Sequence, residues 1–265
     1  MAEQRVLITG AAGIVGTLMR PRLARSGRVL RLLDLAPLRP SGPGEEIVTG
    51  SVTDPRIMAE ACRDVDALIH LGGISREDGW ERIVEVNIGG TQTVLEAARV
   101  AGVSRVVLAS SNHAVGFRRI GAAGPEGLPS DSSPRPDTYY GVSKAAVEAL
   151  GSLYHSRFGM DVTCLRIGSC FERPADTRQL SLWLSPDDCA RLLEACLATS
   201  EPNYRVLWAV SANTRGVVSL RAAEAIGYRS HDDAERYAAE LPPGEPGECI
   251  GGAFCETPLG QRNPL

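Results

Sequence analysis

Near-continuous apolar runs of about five residues recur along this chain, each followed by a longer amphipathic stretch. Arg5–Thr9 leads into 14–26, and Val29–Leu33 follows. Ile47–Thr49 leads into 55–63, and Ala67–Leu71 into 78–101. The series continues with Arg105–Ala109 before 139–158, Val162–Arg166 before 186–199, and Val206–Val210 before 217–226. A strand that is apolar at nearly every position is buried on both faces, which a parallel sheet covered by helices on two sides provides. The pattern predicts an α/β fold with a doubly wound, Rossmann-type parallel sheet.

With 43% hydrophobic content, 265 residues suffice for one large domain or a domain plus a small lobe, each with a proper core. Against 28 Lys and Arg stand 32 Asp and Glu, a formal net charge of −4. That balance sets aside a basic nucleic-acid binder, and the apolar content sets aside a disordered acidic chain. The cysteines at 62, 164, 170, 189, 196, 249 and 255 are odd in number and form no Cys-x-x-Cys pair. They read as reduced thiols of an intracellular protein, and no metal site is expected. The chain reaches Val6-Leu7-Ile8 at once, leaving no room for the apolar core of a signal peptide, and no run approaches the ~18 apolar residues of a membrane span. A cytoplasmic protein with neither membrane nor nucleic acid as partner is expected.

Two stretches rich in turn formers interrupt the alternation, 36–44 and 121–137. The second carries Pro125, Pro129, Pro134 and Pro136 at the carboxyl edge of the sheet, and is read as a substrate-side wall. From about Ser230 the chain is polar and rich in Pro and Gly, and Gly251–Phe254 either folds back over the site or forms a loose tail. One domain over 1–265 is expected, with substrate-side elements from 112–138, 168–185 and 230–265.

Gly10-Ala-Ala-Gly13-Ile-Val-Gly16 follows the first strand and opens a helix. Glycine there permits the tight turn, close approach of backbone to a pyrophosphate, and helix-to-strand packing, while the helix N-terminus attracts phosphate. Asp34 ends the second strand about 24 residues after Gly10, where a carboxylate accepts both ribose hydroxyls of an adenosine. It would repel a 2′-phosphate, which argues for NAD over NADP.

Tyr140-Gly-Val-Ser-Lys144 begins a predicted helix, and the i, i+4 spacing puts phenol and ammonium on one face. A phenol with a pKa near 10 is a poor base at neutral pH, and an adjacent Lys⁺ with an oxidised nicotinamide would stabilise the phenolate. Alone, Tyr-x-x-x-Lys is common by chance. It is accompanied by Ser110-Ser111-Asn112-His113 at the end of the fifth strand, where a serine hydroxyl can hold the substrate oxygen that loses its proton. His113 is more simply read as a hydrogen-bonded structural residue than as a base. Arg178, on the loop after the sixth strand, carries the planar guanidinium suited to a carboxylate. Ser75, Asn112 and Ser169, at other strand ends, can satisfy sugar hydroxyls.

Thr9-Gly-x-x-Gly-x-x-Gly16, Asp34, His70-Leu-Gly-Gly73, Asn87-x-x-Gly-Thr91, Ser110-Ser111 and Tyr140-x-x-x-Lys144 together resemble the extended short-chain dehydrogenase/reductase superfamily, from residue 5 to about 210. The resemblance implies a seven-stranded parallel sheet and a bound NAD(P). It implies Tyr140 as general base or acid, Lys144 on the nicotinamide ribose, and Ser111 as the partner of the tyrosine. The cofactor contacts it implies are Gly10, Gly13, Ile14, Val15, Gly16, Asp34, Leu35, Leu71, Gly72, Gly73, Tyr140, Lys144 and Ile167. Where many members have Gly-Asp-Leu, this chain has Gly50-Ser51-Val52, so the Ser51 hydroxyl or the Val52 backbone takes the carboxylate's place toward the adenine.

Leu71–Ser75, Ser110–His113, Tyr140–Lys144, Arg166–Cys170, Arg178 and Gly251–Phe254 resemble the uronate dehydrogenases over nearly the whole chain. That resemblance implies NAD-dependent oxidation of a hexuronate at C1 to an aldarolactone. It implies a substrate site of Ser75, Ser111, Asn112, His113, Tyr140, Ser169, Arg178 and Phe254, in a homo-oligomer. The alternatives are a nucleotide-sugar epimerase or dehydratase of the same superfamily, and a non-catalytic NAD-sensing regulator.

Overall fold

The apolar runs become the strands β1 (Gln4–Thr9), β2 (Arg28–Asp34), β3 (Glu45–Thr49), β4 (Ala67–His70), β5 (Arg105–Ser111) and β6 (Asp161–Ile167). Two short strands, β7 (Ser169–Cys170) and β8 (Trp183–Leu184), precede β9 (Tyr204–Ala209). Between them run α1 (Ile14–Leu23), α2 (Pro55–Ala61), α3 (Trp80–Ile83), α4 (Gly90–Ala101), α5 (Tyr139–Phe158), α6 (Gln179–Leu182) and α7 (Pro186–Leu197), and α8 (Arg221–Ala225) follows β9. This is a computed structural model that describes residues 3–244 and 247–262. Positions 1–2, 245–246 and 263–265, which fall within the expected domain and its 230–265 stretch, lie outside the described residues.

The main sheet has seven strands in the order β3-β2-β1-β4-β5-β6-β9. All six neighbouring pairs are parallel. Strand order reverses between β1 and β4, and in such sheets that point opens a crevice at the carboxyl edge. Side chains of β1 alternate between two cores. Val6 and Ile8 join Met19, Leu23, Leu192 and Leu193 on one face, while Leu7 joins Met58, Val94, Leu95 and Val147 on the other.

Two expected helices are changed by distant partners. The stretch expected over 78–101 is interrupted by a π-helical turn, Val84–Gly89. The one expected over 217–226 is helical only at Arg221–Ala225. There the Leu128 amide donates to the Val217 carbonyl at 2.9 Å, and the Ser219 amide to the Leu128 carbonyl at 3.0 Å. These strand-like bonds use backbone groups that a helix would need. Among the described residues no helix is long and apolar enough to cross a membrane, and no His, Cys, Asp or Glu cluster is arranged to hold a metal.

Candidate active site

The nucleotide end is built of backbone. Gly10 turns the chain after β1 with φ 70°, a left-handed conformation that suits glycine. A Cβ there would lie 2.6 Å from the Gly72 nitrogen, so its absence lets the glycine loop and the Leu71–Gly73 loop run side by side. Gly16 likewise faces the Gly10 carbonyl and Ala11. Gly13, the N-cap of α1, supplies no side-chain cap, which leaves the end of Ile14, Val15 and Gly16 suited to an anion. Asp34 accepts the Ala12 amide at 2.9 Å and the Ala36 amide at 3.0 Å, pinned beside the exposed Leu35. Cradle, uncapped helix and pinned acid fit the pyrophosphate and ribose of a dinucleotide. Val52 packs against Gly72. The Ser51 hydroxyl is 2.8 Å from Thr53 Oγ1 and accepts the Thr53 amide, so it is committed to a turn and the Val52 backbone is left as the candidate toward the adenine.

Beneath the crevice His70 bridges Thr9 Oγ1 at 2.7 Å and Thr91 Oγ1 at 3.1 Å. Burial, with the Lys144 charge second, pushes its pKa down to about 3, so it is a neutral strut. In the π turn, Asn87 accepts the Ile74 amide, donates to the Ile74 carbonyl, and donates to Ser143 Oγ at 2.9 Å. The extra residue in that turn re-aims Asn87 to reach both segments.

Helix α5 starts where it does because Thr138 caps it, accepting the Gly141 amide at 3.0 Å, and because Pro134 and Pro136 disfavour helix before it. Buried Glu77 adds a distant cap, accepting the Tyr140 amide at 2.9 Å and the Gly260 amide at 2.8 Å. Sequence reasoning missed Glu77, since its partners lie 63 and 183 residues away.

Tyr140 and Lys144 are both buried, and the Ser111 hydroxyl accepts the His113 amide at 3.2 Å and donates to Asn112 Oδ1 at 3.4 Å. The Lys144 ammonium donates to the Ala109 carbonyl at 2.7 Å and lies 5.4 Å from the Tyr140 ring centre. The protein's own groups therefore do not lower the phenol as the i, i+4 spacing suggests. Burial pushes Tyr140 up to about 12, with Ser111 opposing the shift and the Asp137 charge adding to it. Burial lowers Lys144 to about 8. Desolvation dominates because the ammonium has turned to a carbonyl, and each group favours its neutral form.

On the sugar side, β5 passes from Ser111 into a 3₁₀ turn, Asn112–Val115. His113 stacks on Phe254 with ring centres 4.0 Å apart and meets Tyr140 edge-on at 5.7 Å. Its Nδ1 is 2.7 Å from Asp137 Oδ2. Of the two readings of the chain's end, the structure has the one that folds back. Ile250 and Gly251 donate their amides to the Arg118 and Gly116 carbonyls at 2.9 and 2.8 Å. The Ile250 carbonyl accepts from Asn112 Nδ2 at 3.2 Å and from Arg178 Nη2 at 2.8 Å. Arg178 Nε is buried without a hydrogen-bond partner, and burial lowers the guanidinium pKa ahead of the opposing charges of Asp176 and Asp137. A desolvated N–H without an acceptor costs about 1–3 kcal/mol, more when charged.

Ser111, Asn112, His113, Tyr140, Phe254 and Arg178 thus come together from four stretches of sequence. Ser169 is buried on β7, whose pairing with β8 sequence reasoning missed, and Ser75 is exposed on the loop after β4. Ile167 ends β6 in register with Ser111. Asp137 was missed as well, although its place just before the α5 cap is readable.

A model of the NAD dependent epimerase/dehydratase family matches residues 6–184. The uronate dehydrogenase of Pseudomonas putida is 40% identical over 238 residues, 89% of this chain and 87% of that one. The crystal structure of a tyrosine-to-alanine mutant of uronate dehydrogenase from Agrobacterium tumefaciens, complexed with NAD, superposes with a TM-score of 0.90 at 38% identity, covering 98% of this chain and 99% of that one. A glucuronic acid dehydrogenase from Chromohalobacter salexigens superposes with a TM-score of 0.90 at 34% identity over 97% and 98% of the two chains. The chain belongs to the NAD dependent epimerase/dehydratase family, and within it to the uronate dehydrogenase family.

Proposed function

We propose that this protein is an NAD-dependent dehydrogenase that oxidises a hexuronate, glucuronate or galacturonate, at C1 to the aldarolactone. The observation that carries the substrate assignment is Arg178, half-buried beside the Tyr140 cluster, whose buried Nε lacks an acceptor. A carboxylate at the far end of a sugar supplies that acceptor as a charge-assisted bond. The folded-back 250–254 segment favours a monosaccharide over the nucleotide-sugar of an epimerase.

The glycine loop and α1 hold the pyrophosphate, Asp34 the adenosine ribose, and Lys144 the nicotinamide ribose. NAD, when bound, accepts the hydrogen and electron pair that leave C1. Tyr140 takes the proton of the anomeric hydroxyl, and the C1–O bond becomes the carbonyl of a ring ester. Ser111 donates to the same oxygens, which steadies the developing charge. Ser75, Asn112, His113 and Ser169 are read as holding ring hydroxyls, with Phe254 closing over them. Substrate-side segments are those at 112–138, 168–185 and 230–265, in one domain. A cytoplasmic homo-oligomer is proposed, supported by the exposed Val100, Leu153 and Phe158 on α4 and α5, with sedimentation as its check. The test of function is incubation with NAD⁺ and a panel of sugar acids while NADH absorbance is followed. Turnover of hexuronates and not of nucleotide sugars is expected, and a flat trace with every hexuronate would overturn the reading.

A further inference from the structure

Asp137 is buried beside Tyr140, and its charge raises the phenol that must act as base. A carboxylate there works against the chemistry, so its presence calls for another role. The surroundings are shaped around it. A Cβ on Gly116 or Gly251 would strike its carboxylate, and one on Gly141 would lie 2.8 Å from Oδ1. Three separate segments therefore meet the carboxylate with bare backbone. Oδ1 accepts from Thr138 Oγ1 at 3.0 Å, and Oδ2 lies 2.7 Å from His113 Nδ1.

His113 is enclosed too, with Phe254 on its face and Tyr140 at its edge. Burial lowers its pKa, the Asp137 hydrogen bond and charge oppose that, and the Arg178 charge adds to the lowering. A neutral imidazole carries one N–H. Facing a carboxylate, which only accepts, that proton sits on Nδ1, and Nε2 is left with a lone pair. Among the described residues no protein group is hydrogen-bonded to Nε2.

We propose that Asp137 is a positioning residue that fixes His113 as the Nδ1–H tautomer, so that Nε2 accepts a hydrogen bond from a ring hydroxyl of the sugar. The pocket then reads the substrate with two opposite chemistries, an acceptor for a hydroxyl at His113 and donors for the carboxylate at Arg178. This rests on the hexuronate reading, and its first test does not.

The chain has four histidines, so two-bond ¹H–¹⁵N spectra of histidine-labelled protein resolve each ring, and a His113→Phe variant identifies its signals. The expected spectrum has His113 protonated at Nδ1 alone near pH 7.5. An Nε2–H tautomer or an imidazolium would overturn the proposal, whatever the substrate turns out to be. Failure of the protein to turn over any hexuronate would instead overturn the functional reading.

The second test uses hexuronates in which one ring hydroxyl at a time is replaced by fluorine, which cannot donate. At one position wild type should lose ~10- to 100-fold in kcat/KM, the range of one hydrogen bond to a buried acceptor. In Asp137→Asn the amide can donate to Nδ1, so Nε2 takes the proton and the same fluorination should cost less than about a third as much. The ratio of the two losses cancels the electronic effect of fluorine. Equal losses in both proteins would overturn the proposal. Should Asp137→Asn fail to fold, His113→Phe serves in its place, since it removes the lone pair and should abolish the same selectivity.

Discussion

The two ends of the crevice are built from different materials. At the nucleotide end the groups proposed to face the pyrophosphate and the adenosine ribose are glycine backbone, helix amides and one carboxylate of β1, α1 and β2, with the Leu71–Gly73 loop and Val52 beside them. At the sugar end they are side chains from 111–113, 140, 178 and 254, held by bonds that span up to 183 residues. The first end is set by local conformation, and the second by the closure of the whole chain. Substitutions should therefore separate cofactor binding from substrate handling cleanly.

The largest separation is expected from Tyr140→Phe. Removing the phenol oxygen removes proton transfer, typically worth 10²–10⁴-fold, while the NAD dissociation constant from fluorescence titration should change less than about threefold. If the variant keeps more than a tenth of the activity, Tyr140 is not the base. Next is Arg178→Ala. Loss of the carboxylate's partner should lower kcat/KM for hexuronates by roughly 30- to several thousand-fold, or ~2–5 kcal/mol, and leave NAD binding intact. Glucose and galactose should be nearly inert with the native protein, and the gap to their uronates should narrow in the variant. Unchanged uronate kinetics would place the carboxylate elsewhere.

At the other end, Asp34→Ala removes a charged acceptor, with an expected loss of ~10- to 100-fold in NAD affinity. The preference over NADP should shrink in the same variant, because the repulsion of the 2′-phosphate is gone. Calorimetric titration with both cofactors reads this, and comparable native affinities for the two would break the assignment.

The asymmetry also explains what was legible. Strands buried on both faces are nearly continuous apolar runs, so all seven strands of the main sheet could be read, and the glycine loop and Asp34 with them. The π turn could not, because it goes with bonds from Asn87 to Ile74 and Ser143, which lie outside its own helix. The shortening of the last helix could not either, since Leu128 occupies the backbone of 217–219. Glu77 and Asp137 look like ordinary acids in loops, and only the closed chain shows one capping α5 and the other holding His113. The reach of Lys144 to the Ala109 carbonyl was hidden for the same reason. Spacing placed the ammonium near the phenol, and burial decided which acceptor it chose.

That reach leads to the smallest effect, a pH dependence carried by the Tyr140–Lys144 pair. Tyr140 stands at about 12 and Lys144 at about 8, so between these values the pair has lost one proton and is mostly phenol with neutral amine. Phenolate with ammonium has the same proton count and is the minor tautomer of that state, so its amount follows the pair's single ionisation rather than that of either residue. The reactive form therefore increases as pH rises toward about 8 and levels off above it. The positive charge of an oxidised nicotinamide favours loss of the proton and moves the midpoint lower. For NAD-saturated enzyme, kcat/KM for hexuronate should rise by up to about tenfold per pH unit below the midpoint, with the midpoint at or below about 8. Because bound NAD⁺ favours loss of that proton, linkage requires NAD⁺ affinity to rise through the same range by the factor by which the midpoint moves. A midpoint well above 9 would show that burial of the tyrosine still governs the bound state.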